Sequence, residues 1–181
     1  MVGYRRQSNA INLKAAGSVA LAGFLSLVLY MFSEASQSRN NALAGTAVVL
    51  DGDTIDLAGQ RIRLQGIDAP ELSQHCPFPK QKGSWAAGWQ AKRHLVRLIS
   101  DKSVSCLIHG MDRYGRLIGN CHNHDGIHLN AAMVQSGMAW AYRAYSGLYI
   151  SEEYAAKQHR LGIWRTTCQT PWAYRQQRWT S

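Results

Sequence analysis

"DGDTIDLAGQRIRLQGIDAPE", residues 51–71, carries Asp51, Asp53, Asp56, Asp68 and Glu71, five of only eleven carboxylates in a chain of formal net charge +9. Like charges drawn together repel, so a fold that gathers them usually sets something cationic between them. The same stretch decides the fold. "DTIDLA" and "QRIRLQGID" each alternate apolar with polar, with Ile62 and Leu64 on one face and Arg63 on the other, and a turn at 58–60 joins them. The β-branched run at 46–50 supplies a strand before them, so a three-stranded antiparallel meander is predicted.

Downstream, residues 69–82 hold three of the four prolines and show no period, which reads as a long exposed loop. From Ser84 the pattern turns helical, with Ala91, Leu95, Leu98 and Ile99 on one face and the helix ending near Ser100. "SVSCLIHG" and "RLIGNCHN" form a hairpin around "MDRYGR", and "DGIHLNAAMVQSGM" gives a short helix stopped by Gly137. "AWAY" reads as a strand or an extended turn. "SEEYAAKQHRLGIW" reads as a helix with Ser151 as N-cap, Glu152 and Glu153 at the favourable end of its dipole, and Trp164 as a core residue. No period is evident in the tail, 166–181. Five short strands with a helix between the third and fourth suit an α+β fold built on a closed Greek-key barrel of the oligonucleotide-binding (OB-fold) type.

Residues 1–14 form a basic flank containing Arg5, Arg6 and Lys14, and 15–32, "AAGSVALAGFLSLVLYMF", are apolar. A polar linker spans 33–44, and the main domain 45–165. The positive flank before the apolar run orients the main domain out of the cytoplasm. Its length lies between a signal peptide and a spanning helix of about 20 residues, so a cleaved signal and a retained membrane anchor are both open. Both place the main domain in the periplasm or outside the cell, where Cys76, Cys106, Cys121 and Cys168 can pair. Cys106 and Cys121 fall on adjacent strands, and closing a loop of that size would constrain the unfolded chain by ~3 kcal/mol. Cys76 with Cys168 is the remaining pair.

The excess of Lys and Arg favours an anionic partner, nucleic acid or an anionic membrane surface. Asp51 and Asp53 share a face if the backbone there is extended, and Asp68 and Glu71 leave the third strand. Oxygen ligands without Cys or His suit a hard cation, Ca²⁺ before Mg²⁺; solvated turn carboxylates are the alternative. Arg63 and Arg116 beside such a site would hold the charge that accumulates as a phosphodiester breaks. His122, His124 and His128 read as exposed polar residues rather than a metal site.

Taken together, "VLDGDTIDL…RIRLQGIDAPE", "DRYGR" and "LNAAMVQSGMAWAY" resemble the staphylococcal nuclease (thermonuclease) family, in its exported bacterial branch, over about residues 45–165. The resemblance implies a calcium-dependent hydrolase, a nuclease acting on DNA and RNA with little sequence specificity and leaving 3′-phosphate ends. It makes Asp53 and Asp68 direct calcium ligands, the backbone carbonyl of Ala69 a third, and Asp51 a ligand through water. Glu71 matches the carboxylate that activates or positions the attacking water, Arg63 and Arg116 the phosphate clamps, and Tyr142 or Tyr145 a residue packing on the nucleotide. Ala86 and Ala87 stand where this branch would carry "PC", so Cys76 loses its usual partner and Cys168 substitutes. The rival readings are a non-catalytic OB-fold module binding nucleic acid or protein, and a membrane-tethered adaptor.

Overall fold

The computed structural model describes residues 41–144 and 146–180. The basic flank, the apolar segment 15–32, most of the polar linker and Tyr145 therefore lie outside the described residues. Among those described, no helix is long and apolar enough to cross a membrane.

Strands β1 (Ala42–Val49), β2 (Thr54–Leu57) and β3 (Gln60–Leu64) form the expected antiparallel meander, with Ile55 opposite Ile62 and Thr54 opposite Arg63. Their inward residues Ile55, Leu57, Ile62 and Leu64 are fully buried. The turn between β2 and β3 is tight: Ala58 and Gly59 both have positive φ, and Gly59 N–H donates to Asp56 Oδ1 at 2.9 Å. Asp56 is thus spent on a turn rather than on the carboxylate cluster.

After β4 (Ile67–Asp68) the chain makes a small ribbon, β5 (Cys76–Pro77) with β6 (Ser84–Trp85), and enters helix α1 (Ala87–Ile99). β7 (Ser103–Met111) and β8 (Leu117–Asn123) follow as the predicted hairpin. The barrel closes in the order β1-β2-β3-β8-β7, with β7 returning to β1 and β3 running parallel to β8. This five-stranded barrel with packed helices is the α+β, OB-type architecture the sequence predicts. Then come α2 (Leu129–Gln135), β9 (Trp140–Ala141), α3 (Ile150–Gln158), a 3₁₀ turn (Gly162–Arg165) and α4 (Pro171–Thr180).

One core joins these layers. Ala91, Leu95 and Ile99 of α1 and Leu129, Met133 and Val134 of α2 pack on the barrel residues. Buried Asn130 ties α2 to the barrel: Oδ1 accepts from Cys121 N at 3.1 Å, and Nδ2 donates to Gln65 O at 3.0 Å and Gly119 O at 3.1 Å. Such a satisfied polar residue fixes the docking register where an apolar one would slide.

The structure departs from the sequence reading in several places. β1 begins at Ala42, inside the stretch read as linker, because residues 42–46 pair with β7. The helix read from Ser84 begins at Ala87, since Ser84 and Trp85 are held in the ribbon. Of the two readings left open for "AWAY", the strand is the one formed, as Trp140–Ala141 pair with β4 in β9. Ser151 is not an N-cap: Tyr149, at φ 63°, occupies that position, and the Ser151 hydroxyl donates to Glu152 instead. Ile163 rather than Trp164 is the fully buried residue of "GIW"; Trp164 is half-buried against Trp140 with Lys157 over its ring. The tail, in which no period is evident, is helical over Pro171–Thr180.

All four cysteines are paired. Cys106–Cys121 sit opposite one another in the β7–β8 register, and Cys76–Cys168 joins the ribbon to the segment before α4.

Helix α2 is capped by His128, whose Nδ1 accepts from Ala131 N–H at 3.2 Å. Burial lowers the imidazole pKa from its usual 6.5, and the His122 ring, 4.5 Å away, lowers it further; Glu152 opposes the shift. A group that binds protons less readily when folded contributes stability above the unfolded pKa that is lost as the pH falls below it. The urea midpoint should accordingly fall as the pH drops below 6.5. In His128→Asn, which keeps a cap and cannot titrate, that fall should be blunted; an equally steep fall in both proteins would exclude His128 as its source.

Candidate active site

Two of the carboxylates, Asp53 and Asp68, are drawn together by one guanidinium. Arg63, on the polar side of β3, donates through Nη1 to Asp53 Oδ1 at 2.6 Å and through Nη2 to Asp68 Oδ1 at 2.7 Å. Asp53, just before β2, also accepts from Thr54 Oγ1 at 3.0 Å and from Ala69 N–H at 2.9 Å. Asp68, in β4, is fully buried beneath the site. Burial pushes its carboxyl up, and the bonded guanidiniums of Arg175 and Arg63 act against that shift.

The backbone at 51–53 is not extended, so the condition for Asp51 and Asp53 to share a strand face is not met. Asp51 Oδ1 accepts the Asp53 N–H at 2.9 Å, folding the "DGD" segment into a turn that nonetheless leaves both facing the cleft. Burial raises the Asp51 carboxyl to about 6, with the charge of Asp53 adding to the effect.

Glu71 sits on the loop after β4. Its N–H donates to Gln74 Oε1 at 3.2 Å, and Gln74 N–H returns to Glu71 O at 2.7 Å, so the buried Gln74 fixes this turn. Helix α1 presses on it from behind. A methyl on Gly88 would overlap the Glu71 carbonyl, and one on Gly52 would sit 2.6 Å from the Ala69 Cβ and 2.8 Å from the Ala91 Cβ.

Arg116 is held separately, at the β7–β8 turn. Asp112 Oδ1 accepts from the N–H groups of Tyr114 at 2.9 Å and Arg116 at 3.0 Å, while Oδ2 takes Arg116 Nε and Nη2, both at 2.8 Å. Burial would raise the Asp112 carboxyl, but these bonds from Arg116 and Tyr114 outweigh it and hold it below the usual range. The aspartate therefore aims the guanidinium as a fixed fork.

Asp51, Asp53, Arg63, Glu71, Arg116 and Arg175 line one cleft of about 830 Å³, together with Ala69, Tyr142 and the exposed Tyr114. The Tyr142 ring tilts against Trp172 at 5.7 Å. Tyr145, the other nucleotide-packing candidate, lies outside the described residues.

As the side chains stand, no three Asp, Glu, His or Cys groups among the described residues are disposed to hold a metal ion, the histidines of 122–128 included. Guanidiniums from Arg63 and Arg175 take up the oxygens of Asp53, Asp68 and Glu71. The donor set itself is all oxygen and fits a hard divalent cation, for which Asp53 and Asp68, buried and near enough to share one arginine, are the natural holders.

Arg175 was not found from the sequence, because the tail shows no apolar period. The available signal was Thr170–Pro171, a capping residue followed by the proline favoured at the first helical position. Gln74 carried no signal beyond its place beside a motif, and Asp112, the first residue of "DRYGR", was read as part of the turn and given no role of its own. Glu153 was read only as a dipole partner. It is in fact buried, accepting from Ala141 N–H at 3.2 Å, Arg143 at 2.6 Å and Lys157 at 2.9 Å, and so ties α3 to the strand leading into Tyr142.

A family described as staphylococcal nuclease homologue matches residues 61–166. Among individual relatives, a micrococcal nuclease of Shigella flexneri is 37% identical over 70% of this chain and 76% of its own length. An uncharacterized endonuclease of Escherichia coli is 32% identical over 84% of this chain and 96% of its own. The succinoglycan biosynthesis protein ExoI of Rhizobium meliloti is 33% identical over 90% and 84% respectively.

The contact between α1 and the Glu71 loop makes a stability prediction. Gly88→Ala should cost about 1–3 kcal/mol, the usual penalty of overpacking, measured as a lower urea midpoint with an unchanged far-ultraviolet spectrum. Wild-type stability would mean that the loop is not held by this packing.

Proposed function

The chain belongs to the staphylococcal nuclease family, and from that membership we propose that it is an exported, calcium-dependent nuclease cleaving DNA and RNA with little sequence preference. The observation that carries this reading is one cleft lined by Arg63, Glu71 and Arg116 together with Asp51 and Asp53. A module that only bound nucleic acid would have no use for a carboxylate base placed among phosphate clamps.

Asp53 and Asp68, with the Ala69 carbonyl, would hold the calcium ion and Asp51 would reach it through water; the bound ion supplies Lewis-acid stabilisation of the phosphoryl oxygens. The chain's own groups do the rest. Arg116, fixed by Asp112, binds the phosphodiester as a bidentate donor, and its hydrogen bonds strengthen as charge builds on the equatorial oxygens. Arg63 both holds the two aspartates together and presents positive charge to the same phosphate. Glu71 accepts a proton from water as that water attacks phosphorus in line with the 5′ oxygen. The P–O5′ bond then breaks, the departing O5′ takes a proton from solvent to become a 5′-hydroxyl, and the other fragment keeps a 3′-phosphate. Tyr142 offers a ring face to a neighbouring base.

Export is supported by the basic flank before the apolar segment 15–32 and by the pairing of all four cysteines. Whether that segment is cleaved or kept as an anchor, the catalytic domain works outside the cytoplasm.

Arg116→Ala and Glu71→Ala should each lower turnover on single-stranded DNA by about 10²–10³, the loss expected for one transition-state stabiliser, with the fold retained by circular dichroism. Excess chelator should abolish wild-type cleavage and added calcium restore it. Full turnover in either variant would remove that residue from the mechanism, and cleavage indifferent to chelator would remove the metal.

A further inference from the structure

Helix α4 lies across three of the groups on which the proposed chemistry depends. Arg175 donates through Nη2 to Asp68 Oδ2 at 2.9 Å, and through Nη1 to Asp68 Oδ1 at 3.2 Å and Glu71 Oε1 at 2.7 Å. Trp172, one turn earlier, sets its ring 5.7 Å from that of Tyr142 at an interplanar angle of 37°. On the outer side, Arg178 donates to Ser73 Oγ at 3.3 Å and Tyr174 to Ser73 O at 3.3 Å.

The helix is delivered there by fixed attachments. The Cys76–Cys168 disulfide anchors the chain just before it, Gln74 Nε2 donates to Gln169 O at 2.7 Å, and Thr167 N–H donates to Pro77 O at 2.9 Å. Gln74 is also the residue that fixes the Glu71 turn. A short tether of this kind gives the helix a high effective concentration at the cleft.

We propose that α4 is an internal occupant of the active-site cleft: Arg175 holds the oxygens of Asp68 and Glu71 that a divalent cation and the attacking water would otherwise engage, so cation binding and helix release are coupled. The inference rests on the calcium-dependent reading above.

The physical basis is competition for lone pairs. Asp68 Oδ1 already accepts from Arg63 and Arg175, and Oδ2 accepts from Arg175. A cation at the roughly 2.3–2.6 Å of a calcium–oxygen contact would share Oδ2 with a guanidinium nitrogen 2.9 Å from that same oxygen. Two like charges on one carboxylate oxygen repel. Of the carboxylate oxygens, Arg63 donates only to Oδ1 of Asp53 and Oδ1 of Asp68 and can remain; Arg175, which holds Asp68 Oδ2, must leave. Its departure is feasible because its own side chain is 37% exposed and the incoming cation takes its place beside the buried Asp68, so that carboxylate is never left without a positive partner. Release would also uncover the Tyr142 face now met by Trp172, so the closed helix opposes both cation and nucleotide.

The test uses the full chain, as wild type and as Arg175→Ala, titrated with calcium chloride in a calorimeter, with hydrogen exchange of residues 171–180 followed in parallel. Arg175→Ala should bind calcium about 5–150-fold more tightly, the span of ordinary coupling between sites. By reciprocity, saturating calcium should speed wild-type exchange in 171–180 by a similar factor. Equal or weaker calcium binding in Arg175→Ala, or exchange indifferent to calcium while the wild type binds it, would overturn the inference and leave the calcium reading standing. Absence of calcium binding in both proteins would overturn the two together.

Discussion

A single arginine at the edge of the barrel makes the rest of the site possible. Asp53 comes from the turn before β2 and Asp68 from β4, and both are nearly inaccessible to water. Leaving one such charge unpaired in that setting would cost several kcal/mol. Arg63 spans them because a guanidinium is a planar fork with two separate donor edges, which a lysine ammonium is not. The meander brings the arginine opposite Thr54, next to Asp53, so the turn at Ala58–Gly59 and the β2–β3 register decide whether the carboxylates can coexist.

Much of this was legible in the chain. The alternation of "DTIDL" and "RIRLQ" fixes which side chains are inward, and Arg63 lies between two buried neighbours as period two requires. The β7–β8 hairpin was readable because "DRYG" is a turn signal between two alternating runs, and the Cys106–Cys121 pair followed from it. What stayed hidden has a common cause. The choice between strand and turn for "AWAY" is made by the backbone partners that β4 offers, and Tyr149 caps α3 in a conformation that no local preference favours. Contacts of that kind are set by tertiary packing, which a periodicity does not encode.

The site was legible to a different degree from the fold. The "DGD" spacing suggested an extended pair of carboxylates, whereas the Asp51 side chain captures the Asp53 N–H and folds the segment into a turn. Short polar side chains compete with strand formation in this way wherever a free N–H lies within reach. Arg175 was out of reach for a further reason: it meets Asp68 across most of the domain's length, and a lone basic residue in a basic tail differs in nothing from its neighbours until the chain has folded.

The two disulfides also differ in when they can form. Cys106 and Cys121 are 15 residues apart and become adjacent as soon as one hairpin closes, whereas Cys76 and Cys168 are separated by 92 residues. The longer closure costs about 1–2 kcal/mol more chain entropy, and its partners meet only after the barrel has positioned both the ribbon and the tail. During oxidative maturation the hairpin bond is therefore an early, local event. The second bond closes only where the C-terminal segment has reached the ribbon, and without it that segment would be held by hydrogen bonds, ion pairs and packing alone.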